Sequence, residues 1–314
     1  MTELENILKN DIYNKKPPAT LYHYTGIDSL QKIVESKKLW ASSIFHLNDA
    51  SELRYAIDLL KKEMNKHFKN NQNDELKKIV HNFYSLLDSI SLANYDRNNQ
   101  NYLSAFVFSL SEEKDLLSQW RGYALEGKGV SIGFNSQNIN EKIIHQKLIL
   151  AKCIYKKEER DSIISKLCNS LIKEFKTKKT VFSDYTSQEE AKYLLEKITR
   201  IIKIFVFIKN EKFSEEKEWR ILWVFPEVVN VEFREGDTTL IPYIKIDINN
   251  LDNPKSLFNE IKIGPSQNQD LSHLSLTYLL SSNKHIFGSD KPRNPNYIEN
   301  VKSITFSDIP YRKV

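Results

Sequence analysis

The order in which strand-like and helix-like segments follow one another constrains the fold of this chain most strongly. Short runs at 106–111 and 130–134 alternate apolar with small or polar residues and predict β-strands. Longer runs at 53–69 and 188–209 repeat apolar residues at helical spacing. Because these segments mix without strict βαβ alternation, we expect an α+β fold with a mainly antiparallel or split β-sheet core.

Two helical blocks are expected to interrupt this sheet. The first covers about 53–93, between the first predicted strand and the strand at 106–111, and the second covers about 158–209. Internal repeats are not apparent along the 314 residues. We therefore predict a single α+β domain over residues 1–314, with helical insertions at these two places.

The composition is that of an ordinary globular protein, with 40% hydrophobic and 28% charged residues and a net charge of +5. No run approaches the roughly 18 apolar residues of a membrane span, and the first residues lack the pattern of a secretion signal. We therefore expect a cytoplasmic protein without a membrane partner. Cys153 and Cys168 cannot form a disulfide framework, and no His/Cys cluster has zinc spacing, so no metal is predicted.

Two glutamates stand two residues apart at the start of an apolar, strand-like run. A β-strand would project the carboxylates of Glu216 and Glu218 from one face. Paired acids suit acid–base chemistry, because their repulsion raises the pKa of one of them. Solvated strand ends also carry acids, so the pair alone leaves a surface role open.

A single histidine lies in the first predicted strand. His23 stands between Tyr22 and Tyr24, just before a helix that we expect from Ile27 to Ser36. Ligands of α/β proteins are often bound where a strand ends and a helix begins. A histidine among aromatic side chains is also a common core residue, so both roles stay open at this point.

The segment at 118–123, Ser-Gln-Trp-Arg-Gly-Tyr, brings aromatic rings and hydrogen-bond donors together in a predicted loop. Trp120 next to Arg121, with Ser118 and Gln119 nearby, is typical of a stacking wall with hydrogen-bond donors for a planar heterocycle that carries phosphates. In the alternative interpretation, Trp120 and Tyr123 cover the edge of the core and Arg121 pairs with a surface acid.

Four motifs in chain order resemble the signature of a widespread bacterial family of uncharacterised proteins. They are Tyr-His-Tyr-Thr at 22–25, Leu-Asn-Asp-Ala-Ser-Glu at 47–52, Ser-Gln-Trp-Arg-Gly-Tyr at 118–123 and Glu-Lys-Glu-Trp-Arg at 216–220. More distantly, the layout resembles the ADP-ribosyltransferase superfamily, in which a strand histidine opens the domain, a Ser or Tyr motif follows and a strand glutamate closes the site. This resemblance implies an ADP-ribosyltransferase-like fold and NAD as the substrate.

The resemblance also implies roles for individual residues. Glu218 would be the catalytic glutamate, Glu216 the first acid of the pair, and His23 the residue that binds the nicotinamide-side ribose. Arg121 or Arg220 would meet the pyrophosphate or stabilise the acids. The residues expected to bind NAD share the first strand, the middle motif and the last motif: Tyr22, Tyr24, Thr25, Ser118, Trp120, Arg121, Tyr123 and Arg220.

The leading functional hypothesis is therefore an NAD-consuming enzyme. It would transfer ADP-ribose to a macromolecular acceptor, protein or nucleic acid, or hydrolyse NAD, and the analogy extends to a toxin or phage-defence effector. One alternative is a non-catalytic nucleotide or nucleic-acid sensor that uses Trp120, Trp219 and the lysines at 173–179. Another alternative is a hydrolase that uses the paired glutamates.

Overall fold

The structure, a computed structural model, describes most of the chain. The described ranges are 2–47, 51–68, 73–91, 105–182, 187–224, 231–236, 238–248, 258–282 and 304–310. Asn48 and Asp49 of the second motif lie outside these ranges. The elements below are those found within the described ranges.

Ten strands form one mixed, mostly antiparallel, open sheet. They are β1 (Thr20–Thr25), β2 (Lys38–Ser43), β3 (Ala105–Ser111), β4 (Val130–Asn135), β5 (Ile149–Lys152), β6 (Glu218–Val224), β7 (Glu232–Glu235), β8 (Leu240–Asp247), β9 (Phe258–Ile263) and β10 (Ile304–Phe306). Neighbouring strands follow the order β10-β9-β4-β1-β3-β2-β8-β7, and β6 pairs with β3 and β5. Among these strand pairs, β9 and β10 alone run parallel. The predicted α+β class and mainly antiparallel sheet are confirmed.

Nine α-helices accompany the sheet within the same ranges. They are α1 (Glu3–Ile7), α2 (Ile27–Ser36), α3 (Ser51–Phe68), α4 (Asp74–Ser91), α5 (Leu117–Tyr123), α6 (Ser136–His145), α7 (Lys157–Phe182), α8 (Ser187–Phe205) and α9 (Gln269–Ser282). The helices α1, α3, α4, α7 and α8 share a buried cluster with Val107 and Leu222. The helices α2, α6 and α9 share another with Phe108 and Ile221. Because side chains alternate along β3 and β6, these clusters lie on opposite faces of the sheet.

The helix α2 shows how local signals set an element. Leu30, Ile33 and Val34 are buried at helical spacing, and Gly26 precedes the helix in an extended conformation. The helix ends where Lys37 adopts a left-handed conformation with φ 55°. The predicted bounds, Ile27 to Ser36, agree with the structure.

The sheet splits along one edge of β3. The other edge pairs with β6 over its whole length. On the split edge, β2 pairs with Phe106 and Val107, whereas β1 pairs only at Ser111. Between these points the Ser109 carbonyl accepts a hydrogen bond from His23 Nδ1 over 2.9 Å. An imidazole therefore takes the hydrogen bond that a strand would otherwise supply.

One strand was not predicted and one expectation about local structure is wrong. The segment Lys38–Ser43 is the strand β2, so α3 and α4 lie between β2 and β3. The motif at 118–123, expected as a loop, lies in α5. Burial of Trp120 against Tyr24 outweighs the low helix propensity of Gly122. None of the described helices is both long and apolar enough to cross a membrane.

Candidate active site

A small pocket opens beside the split in the sheet. Its lining residues come from β1, β3, α5 and the entrance to β6: Tyr22, His23, Tyr24, Ser109, Leu110, Gln119, Tyr123, Glu216 and Glu218. The cavity has a volume of about 50 Å³. It can hold a few water molecules or a functional group of similar size. Three of the four sequence motifs thus contribute side chains to one place.

Five charged side chains lie buried beside this pocket and are called the charge cluster here: Glu52, Lys209, Glu216, Glu218 and Arg220. Lys209 is at its centre, because its Nζ lies 2.8 Å from Glu52 Oε1, 2.6 Å from Glu216 Oε2 and 2.7 Å from Glu218 Oε2. Three carboxylates thus surround one ammonium group.

Arg220 binds two acids of the charge cluster. Its Nε donates to Glu218 Oε1 over 2.8 Å, and its Nη2 donates to Glu218 Oε2 over 3.0 Å and to Glu52 Oε2 over 2.5 Å. Its Nη1 donates to the Val206 carbonyl over 2.5 Å. Arg220 is 2% exposed and does not line the pocket. Of the two roles expected for it, this geometry fits stabilisation of the acids and not contact with a pyrophosphate.

The two paired glutamates reach Lys209 by different routes. Glu218 opens β6, so strand alternation sends it and Arg220 to one face and Trp219 to the other. Glu216 belongs to a 3-10 helix over Glu211–Glu216 and is separated from β6 by Lys217, which has a φ of 43°. The expectation that one strand projects both carboxylates is therefore wrong for Glu216. The turn brings both to the same ammonium group nonetheless.

The charges of the cluster do not balance if every group is ionised, because three acids face two cations. Burial alone would raise the pKa of Glu218, but Arg220 and Lys209 outweigh it and hold that pKa well below its usual range. Burial raises the pKa of Glu216, and Lys209 offsets only part of this effect. Neighbouring carboxyl groups whose pKa values are pushed apart are suited to different roles, one permanently ionised and one able to exchange a proton.

His23 is held as a neutral imidazole. Burial lowers its pKa to about 4, and its ring stacks on Phe108 with 4.2 Å between ring centroids. A carbonyl oxygen can only accept, so the bond to Ser109 places the proton on Nδ1. The remaining nitrogen, Nε2, is then a hydrogen-bond acceptor.

The tyrosines of the pocket use their hydroxyl protons within the protein. Tyr123 Oη donates to Glu216 Oε1 over 3.2 Å, although its side chain is 42% exposed. Tyr22 Oη donates to Glu260 over 2.6 Å, and Tyr24 Oη donates to the Glu113 carbonyl over 2.8 Å. Burial raises the pKa of all three phenols, so they are neutral at physiological pH.

Besides Arg220, four of the expected NAD-binding residues do not line the pocket, namely Thr25, Ser118, Trp120 and Arg121. Trp120 is fully buried, meets Tyr24 edge-on at 4.8 Å and donates through Nε1 to Asp115 over 2.7 Å. Its expected role as a stacking wall is therefore wrong, because neither face of the ring is free. Arg121 is exposed on α5.

Three residues of this region escaped the sequence analysis. Glu52 belongs to a quoted motif but carried no expected role, and Lys209 ends a helical block with no sign of its burial. Gln119 was counted among the hydrogen-bond donors beside Trp120 but was given no role of its own. A signal existed for Lys209, because two buried acids near one apolar strand require a cation close by.

Among the described residues no group of three or more His, Cys, Asp or Glu side chains is placed to hold a metal ion. In the lysine-rich stretch of α7, Lys173 and Lys176 are exposed, while the side chains of Lys178 and Lys179 lie outside the description. The two acids that line the pocket form ion pairs within the protein, Glu216 with Lys209 and Glu218 with both Lys209 and Arg220.

The fold and pocket define the class of this protein as an α+β protein with a buried, charged site beside a split sheet. Residues 119–221 are similar to a family described as "Protein of unknown function (DUF2971)". This segment runs from α5 into β6 and includes Gln119, Tyr123 and the paired glutamates. No curated protein and no solved structure matches the chain.

Replacing Arg220 with methionine should destabilise the protein strongly. The change leaves Glu52 and Glu218 buried with only Lys209 as a cation, and breaking a buried ion pair from one side costs about 3–5 kcal/mol. The free energy of unfolding from urea titration measures this loss. Lys77→Met, which removes an exposed pair with Asp74, should leave the midpoint almost unchanged. An equal, small effect of both changes would contradict the central role of Arg220.

The half-buried, neutral His23 should make stability depend on pH. Its folded pKa of about 4 lies below the unfolded value, so its contribution is present above about pH 6.5 and is lost as the pH falls toward 4. The slope should not exceed about 1.4 kcal/mol per pH unit. His23→Asn keeps a donor for the Ser109 carbonyl but does not titrate. The difference in unfolding free energy between wild type and variant should shrink over this interval, and a constant difference would refute the assignment.

Proposed function

We propose that this protein is an NAD-consuming enzyme of the ADP-ribosyltransferase type. It cleaves the bond between nicotinamide and ribose and passes ADP-ribose to water or to a macromolecular acceptor. One observation carries the proposal: His23 of β1, Tyr123 of α5 and the acids Glu216 and Glu218 line one pocket. The split of the sheet beside this pocket supports an ADP-ribosyltransferase-like fold, and the resemblance of the motifs supports the same class.

The chemistry requires a carboxylate and little else. The electron pair of the broken bond leaves with nicotinamide and neutralises its pyridinium ring, so the leaving group needs no proton. Positive charge develops on the ribose, and a nearby carboxylate stabilises it, as in glycoside hydrolysis. The attacking hydroxyl or water forms a bond to the anomeric carbon and gives up its proton to a base.

The geometry favours Glu216 as that base. Its pKa is raised, it lines the pocket, and Tyr123 donates a hydrogen bond to it. Glu218, which the resemblance singles out, is bound by Lys209 and Arg220, so its charge is already neutralised within the protein. In this mechanism Glu218 positions Lys209, and Lys209 in turn holds Glu216.

The remaining pocket groups orient the ribose. Nε2 of His23 accepts a hydrogen bond from a ribose hydroxyl. With about 50 Å³, the cavity receives only the reacting end of the dinucleotide. The rest lies on the surface next to Tyr123. The exposed Arg121 on the same helix is the nearest expected contact for the pyrophosphate, since Arg220 is committed to the acids.

Of the alternative functions, the sensor that uses Trp120 and Trp219 receives no support, because these rings are 0% and 1% exposed. A hydrolase that acts on another substrate would use the same paired acids, so release of nicotinamide by the wild-type protein is the result that favours the proposal over it. A role as toxin or phage-defence effector rests on the resemblance to the superfamily.

Glu216→Gln should reduce nicotinamide release from NAD by about 100-fold or more, because general base catalysis contributes that much. The matched control is Glu215→Gln, an adjacent exposed glutamate that should leave the rate unchanged. Release is followed with purified protein, with and without cell lysate. Dependence on lysate indicates transfer to an acceptor, and release in buffer indicates hydrolysis. A folded wild-type protein that releases no nicotinamide in either condition refutes the proposal.

The pH dependence of nicotinamide release should depend on the charge cluster. The base must be ionised, so activity should fall as the pH drops through the raised pKa of Glu216. The groups facing Glu216 are Lys209, Glu218 and Tyr123, and Glu52 and Arg220 lie behind them. Glu52→Gln leaves two acids with two cations, so Glu216 should ionise more easily and the acid limb of the profile should move to lower pH. An active Glu52→Gln variant with an unmoved limb would exclude Glu216 as the base.

A further inference from the structure

Gln119 is a buried polar side chain without a hydrogen bond. It is 7% exposed, lies on α5 and lines the pocket. Its carboxamide bonds to no side chain or backbone group of the described residues. A carboxamide carries both a hydrogen-bond donor and an acceptor, and here both face the pocket with no partner among the described residues. A group in this position points to a ligand that completes it.

The position of Gln119 is fixed by its neighbour. Trp120 anchors α5 through its bond to Asp115 and its edge-on contact with Tyr24. Asp115 also accepts hydrogen bonds from the Ser307 hydroxyl, over 2.6 Å, and from the Asp308 backbone N–H, over 2.9 Å. The helix cannot turn without breaking these bonds. The backbone of Gln119 is therefore held beside the pocket that its side chain lines.

The other polar groups of the pocket define what it accepts. Glu216 and Glu218 are acids, Nε2 of His23 is an acceptor, and the nearby cations Lys209 and Arg220 are bound to carboxylates. Among the described lining side chains, Gln119 and the hydroxyl of Ser109 supply the donors that are not already used. The site therefore disfavours an anion.

We propose that Gln119 selects a ligand that carries a primary carboxamide over one that carries a carboxylate in the same place. A primary amide on the ligand can form two hydrogen bonds with the Gln119 carboxamide, one donated and one accepted. A single hydroxyl would pair with only the donor or only the acceptor of that side chain. A carboxylate would meet the carboxamide oxygen and two acids without a free cation. On the proposed function, on which this inference rests, the amide is that of the nicotinamide leaving group.

The size of the site agrees with this assignment. The cavity of about 50 Å³ meets the carboxamide at Gln119 and the reacting bond at Glu216, and the pyridine ring that joins them lies along its mouth, next to the half-exposed Tyr123. Recognition by one buried amide accounts for selectivity without any contact to the adenosine half. Sites with committed polar groups reject analogues that leave those groups unpaired by large factors.

The test compares nicotinamide with nicotinic acid as ligands of the full chain at pH 7, by calorimetry or by chemical-shift titration. Wild type should bind nicotinamide at least about tenfold more tightly. Gln119→Leu should remove this preference, and Gln137→Leu, an exposed glutamine on α6, should keep it. Equal binding of the two ligands by wild type, or no binding of nicotinamide, overturns the proposal even if the variant fails to fold.

Turnover of NAD and of its nicotinic acid analogue separates this inference from the proposed function. Nicotinamide release without any preference for the amide refutes the role of Gln119 and leaves the enzyme class intact. Tighter binding of nicotinamide than of nicotinic acid that Gln119→Leu abolishes, in a protein that releases no nicotinamide from NAD, supports the amide site and refutes the proposed enzyme. Faster turnover of NAD than of the acid analogue, equalised by Gln119→Leu, supports both.

Discussion

The buried ammonium group of Lys209 is the interaction on which the site depends. Lys209 follows α8 on the face of the sheet that α3, α7 and α8 cover. Its three carboxylate partners come from α3, from the 3-10 helix before β6 and from β6 itself. Burying five charges costs several kcal/mol per ion, and only close, multiple hydrogen bonds offset such a cost. Arg220 and the hydroxyl of Tyr155, which accepts from the Glu218 N–H over 3.0 Å, supply the further bonds. The charge cluster therefore joins α3 and the segment that follows α8 to the strand β6.

This arrangement also explains why Glu216 differs from Glu218. The charges of Glu52 and Glu218 balance those of Lys209 and Arg220, and Glu216 is the fifth group without a counter-charge of its own. It is also the member of the charge cluster that contacts a side chain exposed at the pocket, Tyr123. The unbalanced charge thus lies at the edge of the pocket. A cluster with balanced charges would be equally well bonded but would lack a carboxyl group whose pKa is raised by burial.

Elements whose own residues carry the pattern could be predicted from the sequence. The bounds of α2 followed from Leu30, Ile33 and Val34, whose spacing marks one face whatever they pack against. The helix α5 could not be predicted in the same way, because its seven residues are held by Trp120 against Tyr24, nearly a hundred positions earlier. The strand β2 was missed, because what stabilises it is pairing with β8, which lies far along the chain.

The candidate site shows the same division. His23, Tyr123 and the paired glutamates were found from residue type and motif, and they do line one pocket. Glu52 and Lys209 were not, since their importance lies in a meeting of segments that are far apart in sequence. The neighbours Gln119 and Trp120 differ most from the expectation. Sequence pattern favoured the large ring as the ligand contact, but burial reversed the roles: the tryptophan anchors α5 in the core, and its small polar neighbour faces the pocket. On a short helix packed against a sheet, the most apolar residue is the one that the core takes, so ligand contact falls to the positions beside it.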